Sequence, residues 1–579
     1  MTRVPVLLRI PGERGWRSFS NPTQIFSARS AEAVIACLDD VQRAVEQTGC
    51  WAAGFVAYEA AAGFGLPVAN ADTLSLPLAW FGIFPPDGVA LRERLDPGTG
   101  YSAGRWQPSM DRARYLAAVH EIKSRIAAGD TYQINYTFRL TATFRGDAIS
   151  LLGDLDDAQR GPWGGYVDIG THAICSASPE LFFLLHGNRL ECRPMKGTAP
   201  RGRSAEEDLR RAAALQQSAK NRAENVMVVD MTRNDLGRIA LTGSVSVPSM
   251  FEVERYPGQW QMISTVAAST ATTDLSRLFE ALFPSGSVTG APKRSSMAII
   301  RDLETGPRGI YTGAIGCLTP GGRAHFNVAI RTVVIDRERH QAEFGVGSGI
   351  VWDSVDTDEY EECVNKAAML TRRQEPFRLL ETLRWSDSEG FIRLDSHLAR
   401  MRASADYFGF DQPAEARVRA QLDSAVANRY RDARIRILLD RDGNPEIEAH
   451  ELAAAPDPMR VVLAAEPVST SDVFLFHKTT RRDVYERARS ARPDMDAVLL
   501  WNERGEITEA TEANVVLEMS GRRVTPPIDC GVLPGVLRGE LLNAGEVDER
   551  VIQRDDLPRA SRIWLISSVR GWMPAIVSQ

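Results

Sequence analysis

The stretch Thr371-Arg372-Arg373-Gln374-Glu375-Pro376 constrains the fold of this chain more than any other feature. It is short and charged, it ends in proline, and a fresh hydrophobic pattern begins at Phe377. The chain has 579 residues, too many for one ordinary hydrophobic core. Two domains are therefore expected, 1–372 and 376–579. No internal repeat relates them, so they are two different folds and not a duplication.

Bulk properties exclude several function classes. A formal charge of -7 gives no general attraction to nucleic acid or to an anionic membrane. An anionic substrate would need basic residues gathered locally. No apolar run approaches the ~20 residues that span a bilayer. The N-terminal Met1-Thr2-Arg3-Val4-Pro5 carries charge too early for a secretory signal. The 7 cysteines include no Cys-x-x-Cys pair and are odd in number, which suits neither a disulfide framework nor a zinc site. A reduced, cytoplasmic protein is expected.

Up to Leu370, alternating strands mix with amphipathic helices. Helices are expected over 111–129, where Tyr115, Val119, Ile122 and Ile126 recur at helical spacing before Gly129, over 204–232, and over 358–372. The apolar runs Val328 to Ile335 and Phe344 to Val351 have strand character.

Four clusters in this half carry chemistry. They are Gly129-Asp130-Thr131-Tyr132-Gln133; Ser178-Pro179-Glu180 with Pro194-Met195-Lys196-Gly197-Thr198; Lys220 to Glu224; and a set from Thr289-Gly290-Ala291-Pro292 to Lys366. On a helix, Glu359, Glu362 and Lys366 share one face, and Lys220 and Glu224 lie one turn apart. Facing carboxylates from two helices could hold Mg²⁺, which prefers oxygen ligands. Thr289-Gly290-Ala291-Pro292 reads as a helix start whose free amides would bind an anion. The Gly345-Val346-Gly347-Ser348-Gly349 run lets backbone approach a ligand, and Arg331 offers a fork for a carboxylate. Taken singly these are ordinary: a Glu/Lys helix face is usually just solvated.

Their order and spacing resemble the chorismate-utilising enzymes, a family that includes anthranilate synthase, isochorismate and salicylate synthases, and aminodeoxychorismate synthase component I. The likeness begins near Trp51-Ala52-Ala53-Gly54-Phe55-Val56-Ala57-Tyr58-Glu59 and runs to Leu370. It implies a large α/β sandwich with sheets inside and helices outside. Water-adding members typically carry lysine where this chain has Gln133, and anthranilate synthases typically carry alanine where it has Lys196. The resemblance thus points to amination of chorismate at C4. Lys196 would be the nucleophile, its amine made neutral by burial or nearby positive charge. Glu180 would be the proton donor, and Glu224, Glu359 and Glu362 would hold Mg²⁺. Gln133, Thr198, Thr289, Gly290, Tyr311, Arg331, Gly347, Gly349 and Lys366 would hold the substrate. Gln261 departs from the family, many members of which have histidine there; an amide cannot act as an acid.

The second half carries a different set: Arg400, Lys478, Glu509, Asn514, Gly535-Val536, and Ser567-Ser568. Pyridoxal phosphate needs a lysine for its aldehyde, an acid for its ring nitrogen and donors for its phosphate. Lys478 follows the apolar run Val473 to Phe476 and is expected at a strand end; Glu509 suits the ring nitrogen. Arg400 and the amides at Gly535 and Val536 suit the phosphate, with Ser568 close by. As an ordered set these resemble the class IV pyridoxal-phosphate fold, which includes branched-chain and D-amino-acid aminotransferases and aminodeoxychorismate lyase. Ser567 stands where lyase-like members often have asparagine.

The whole is thus expected to be α+β: a chorismate-binding sandwich followed by a class IV aminotransferase-like domain. The paired resemblances imply that chorismate and ammonia become 4-amino-4-deoxychorismate, which then loses pyruvate to give 4-aminobenzoate. A synthase fused to an ordinary aminotransferase, an anthranilate synthase with an incidental Lys196, and a second domain that only docks partners are the alternatives. No glutaminase pattern is present, so a separate glutamine amidotransferase subunit is the expected partner. A homodimer through the second domain is the expected assembly, as in many class IV relatives.

Overall fold

The computed structural model describes residues 5–95, 98–371, 375–427 and 430–578. Residues 372–374 of the expected linker, and 1–4 of the N-terminal segment, lie outside these. The chain divides into two compact units, Met1–Pro200 with Ala212–Gln374, and Arg201–Arg211 with Glu375–Gln579. No helix among the described residues is long and apolar enough to cross a membrane.

The first unit is a sandwich of an 11-stranded and a 10-stranded sheet, each joined by antiparallel pairings. Period-two alternation explains its layers. In the strand Trp51–Val56, Ala53 and Phe55 point inward and meet Val6, Leu8, Val167 and Ile174 of the other sheet. Ala52 and Val56 point outward, into a core with the helices Ala33–Thr48 and Leu275–Leu282. On the opposite outer face, Tyr115, Ile122 and Leu152 of two further helices pack on Phe138, Ile335 and Phe344. The expected arrangement, sheets inside and helices outside, is what the chain adopts.

Local expectations fare unequally. The helix expected over 111–129 runs Arg112–Ala127, capped by the Asp111 carboxylate, and Gly129 takes φ 81° to leave it. The expected 204–232 helix is two helices, Ala205–Gln217 and Ala219–Gly237. Ser218 is extended between them and caps the second by accepting from Asn221 N. The third helix is Asp356–Ala367, followed by a 3₁₀ turn to Leu370. The run from Val328 to Ile335 is not one strand. Ala324–Val328 belongs to one sheet and Thr332–Asp336 to the other, and Arg331, at φ 53°, lies in the crossing between them.

In the second unit a 4-stranded antiparallel sheet carries the helices Leu394–Phe408 and Glu415–Val426 on one face. An 8-stranded mixed sheet includes parallel pairings of Met459–Leu463 with Ala497–Trp501 and Gly571–Val577. Val461, Leu499, Val515 and Leu565 form its core.

Candidate active sites

In the first unit a cavity of about 400 Å³ brings together Glu180, Lys196, Thr198, Tyr311, Arg331, Gly347, Gly349 and Lys366 with the carboxylates of Glu224, Glu359 and Glu362. Lys196 comes from the strand Met195–Pro200, and Glu224 from the helix packed against it. Their amine and carboxylate stand 3.6 Å apart. Glu359, Glu362 and Lys366 share the cavity-facing side of the Asp356–Ala367 helix, as their spacing requires. Lys366 pairs with Glu362 at 2.5 Å and donates to Gly347 O at 2.8 Å. Burial alone would raise the Glu362 carboxyl, but the charge and hydrogen bond of Lys366 outweigh it and hold it below the usual range. Ser348 donates to Glu359.

Glu180 is 3% exposed and accepts from Ser287 Oγ at 2.5 Å. Burial pushes its carboxyl up to about 8, against the lowering effect of that hydrogen bond. At neutral pH it therefore keeps its proton. Tyr311 lies with its ring against the Arg139 guanidinium, 5.0 Å from the centroid. Arg331 donates to Lys366 O at 2.8 Å, which turns the positive-φ crossing toward the same wall.

Two expectations are corrected here. Thr289 and Gly290 are behind the wall, not on it. Gly290–Ala291 is a two-residue strand paired with Gln133 and Ile134, and the Thr289 hydroxyl is spent on Ser285 O at 3.0 Å. The helix begins only at Lys293, with Pro292 as its N-cap, so no open helix turn faces the cavity. The glycine run 345–349 lies in the strand Gln341–Ile350, in keeping with the strand character of the run Phe344 to Val351. The space its missing Cβ atoms leave is used by the protein itself. A Cβ at Gly349 would stand 2.5 Å from Lys196 Nζ, and one at Gly345 2.2 Å from the Tyr311 ring. Finally, the three carboxylates are not gathered on one point. Among the described residues no three His, Cys, Asp or Glu side chains could hold a metal ion together. Each has a partner already, because a carboxylate in a partly buried wall pairs with the nearest ammonium or hydroxyl donor.

Gln133 is 1% exposed, and both polar atoms of its side-chain amide lack a partner among the described residues. Its Nε2 and Lys196 Nζ both approach the place where a Gly349 Cβ would stand. An unpaired buried amide costs free energy unless a bound group satisfies it, and Gln133 is not itself among the side chains that line the cavity.

The second unit has a cavity of about 340 Å³ lined by Arg400, Lys478, Glu509, Gly535, Val536 and Ser568, all of the residues expected there. Lys478 does not end a strand. Val473–Leu475 is a 3₁₀ turn, and Lys478 is held by its carbonyl, which accepts from Leu380 N at 2.9 Å. Burial, helped by the positive charges of Arg400 and Arg482, pushes its amine down to about 8. Glu509 accepts from Tyr485 Oη at 2.7 Å and Asn514 Nδ2 at 3.0 Å, and burial raises its carboxyl to about 7.

Arg400 is less free than the sequence suggested. Its Nε and Nη2 both donate to Glu381 at 2.7 Å, and Nη1 to Pro534 O at 2.9 Å. His397 Nδ1 completes the cluster, 2.7 Å from Glu381. Burial would raise Glu381, but these partners outweigh it and hold the carboxyl at about 2. Gly535 caps the helix Val536–Asn543, and a Cβ there would fall 1.9 Å from Asn514 Oδ1. Only glycine fits this cradle. A recessed low-pKa lysine, a buried carboxyl held by two donors, and a glycine-capped helix start match the aldehyde, ring nitrogen and phosphate of pyridoxal phosphate. The sequence reading missed Tyr485, whose place comes only from the tertiary fold.

The fold and these sites define an enzyme of two parts. Residues 86–372 belong to the chorismate binding enzymes and residues 378–576 to amino-transferase class IV, which implies pyridoxal phosphate. Among particular proteins, the chain is 38% identical to aminodeoxychorismate synthase component 1 of Escherichia coli, over 47% of this chain and 59% of that one. It is 39% identical to anthranilate synthase component 1 of Thermus thermophilus, over 47% of this chain and 58% of that one. It thus spans less than two thirds of the length of these curated relatives. The crystal structure of anthranilate synthase component I from Streptococcus pneumoniae superposes with a TM-score of 0.53 at 25% identity, covering 63% of this chain and 93% of that one.

Proposed function

We propose that the chain makes 4-aminobenzoate from chorismate and ammonia in two steps, one in each unit. Identity alone does not choose the first reaction, since aminodeoxychorismate and anthranilate synthases match it about equally. The observation that carries the choice is Lys196, which lines the same cavity as the proton-bearing Glu180.

In this reading Lys196 attacks C2 of chorismate while both ring double bonds shift and the C4 hydroxyl leaves with the proton of Glu180. Ammonia then attacks C4, both double bonds shift back, and the lysine departs from C2. Before either step the 3.6 Å ion pair of Lys196 with Glu224 must open. The Arg331 fork and the Lys366 ammonium would bind substrate carboxylate. The oxygen donors of Glu224, Glu359 and Glu362 are of the kind Mg²⁺ takes, but they would have to leave Lys196, Ser348 and Lys366 and converge before they could hold it. Such an ion would neutralise a substrate carboxylate. A separate glutamine amidotransferase would supply ammonia in the cell.

Bound pyridoxal phosphate would supply an electron sink at the carbon bearing the new amine. Lys478 would hold the cofactor and then take the C4 proton. Glu509, fixed by Tyr485 and Asn514, would keep the ring nitrogen charged, and the amides at Gly535 and Val536 would hold the phosphate. Loss of pyruvate makes the ring aromatic.

The test is product identification by mass spectrometry after incubating the chain with chorismate, ammonium, Mg²⁺ and pyridoxal phosphate. Aminobenzoate with nitrogen at C4 and an equal amount of pyruvate is expected. Anthranilate would overturn the reading of Lys196. 4-Amino-4-deoxychorismate that persists would overturn the lyase assignment, and a need for an added keto acid would make the second unit an aminotransferase.

A further inference from the structure

Lys196 sits in a break of its own sheet. Along the ladder between Met195–Pro200 and Gln259–Ser269, Met195 faces Ile263 and Thr198 faces Gln261, so Lys196 and Gly197 together oppose Met262. This is a β-bulge, a device that re-aims a side chain and leaves backbone groups without ladder partners. Both carbonyls of the bulge are taken by side-chain amides instead. Asn225 Nδ2 donates to Lys196 O at 3.0 Å, and Gln261 Nε2 to Gly197 O at 2.9 Å.

The two amides are themselves fixed. Asn225 is 1% exposed, and its oxygen accepts from Ser264 Oγ at 2.6 Å. Ser264 Oγ in turn accepts from Phe251 N. Turning the Asn225 amide over would break both of its bonds. Gln261 Oε1 accepts from Gln259 Nε2 at 3.2 Å. Gly197 takes φ 100°, and a Cβ there would press on Asn221 at 3.1 Å, so the reversal of the chain is fixed too.

We propose that Asn225 and Gln261 are positioning residues that clamp the Lys196–Gly197 bulge and so aim the Lys196 amine at the substrate. The proposal rests on the reading of Lys196 as the nucleophile. It gives Gln261 a task that needs a donor and no titration. The amine lies close against Gly349, so a shift of the bulge cannot be absorbed sideways. A displacement of ~1 Å at a reacting group costs on the order of 100-fold in rate.

The experiment measures chorismate amination by the full chain for Asn225→Asp and Gln261→Glu, which keep shape and lose the donor, and for Ser264→Ala, which only frees the Asn225 amide. Chorismate affinity is measured separately by equilibrium dialysis, so that a variant that does not fold is recognised. Expected are a kcat about 100-fold lower for the first two and roughly fivefold lower for Ser264→Ala, with KM and affinity within about twofold. Unchanged kcat in Ser264→Ala and either amide variant, with Lys196→Ala inactive, overturns the clamp alone. A loss carried wholly by KM also overturns it, since the amides would then be binding substrate. Full amination by Lys196→Ala overturns the underlying reading instead.

Discussion

Glu180 and Lys478 are shifted by one cause with opposite chemical results. Burial favours the neutral form of each, so the acid keeps a proton near neutrality and the amine gives one up. With free ammonia held constant, amination should fall above about pH 8 as Glu180 ionises. Glu180→Gln should remove that fall and lower the rate by ~10²–10⁴. The same shift has a stability consequence. Between the usual 4.5 and about 8 the folded chain binds a proton that the unfolded chain has lost, so this contribution declines as pH rises through that window. For Lys478, capture of pyridoxal phosphate, followed by the change in the cofactor's absorbance, should speed up with pH only to about 8 and then level off. A rise continuing to the ordinary lysine range would mean that the amine is not recessed as described. Arg400 makes a different point. Arg400→Ala leaves the buried Glu381 carboxylate with only His397 for a partner. It should cost about 3–5 kcal/mol in the unfolding of the second unit, measurable in urea, beyond any loss of phosphate affinity.

Among elements, the strand Gln341–Ile350 shows how far sequence can be read. Its glycines signalled close approach, and that was legible; what approaches was not, because Tyr311 and Lys196 arrive from strands and turns far away in sequence. The two positions now separate experimentally. Gly345→Ala drives a Cβ into the fixed Tyr311 ring, a core overpacking that should cost about 1–3 kcal/mol. Gly349→Ala meets only the end of a flexible lysine. It should leave the melting temperature nearly unchanged while amination drops by roughly ten- to a hundredfold, since the amine is moved from its line of attack. The helix face of Glu359, Glu362 and Lys366 was legible for a simple reason: spacing alone places them together. The Thr289–Pro292 segment was not. Its proline suggested a helix start, yet Gly290 and Ala291 pair with Gln133 and Ile134, a tertiary contact that local preference cannot foresee. Likewise Arg331 read as part of a strand, because an unbroken apolar run carries no mark of a change of sheet.

At the scale of the molecule, each candidate site is complete within one compact unit. The first cavity is lined from Asn135 to Lys366 with nothing from Arg201–Arg211, and the second from Leu380 to Met573. Each unit also has its own hydrophobic cores. The proposed chemistry should therefore divide cleanly. Lys478→Ala should convert chorismate and ammonium to 4-amino-4-deoxychorismate and stop there. Lys196→Ala should make nothing from chorismate, yet turn supplied 4-amino-4-deoxychorismate into 4-aminobenzoate. Mixed in equal amounts, the two variants should restore 4-aminobenzoate after a lag, at about half the parent rate once the intermediate has accumulated, because half the copies of each site remain intact. The lag is the informative quantity. It should shorten in proportion as both variants are made more concentrated, since the intermediate must then cross between chains. If each variant keeps its own half-reaction but the mixture yields no 4-aminobenzoate, the intermediate is never released from the chain that makes it, and independence of the two sites is wrong.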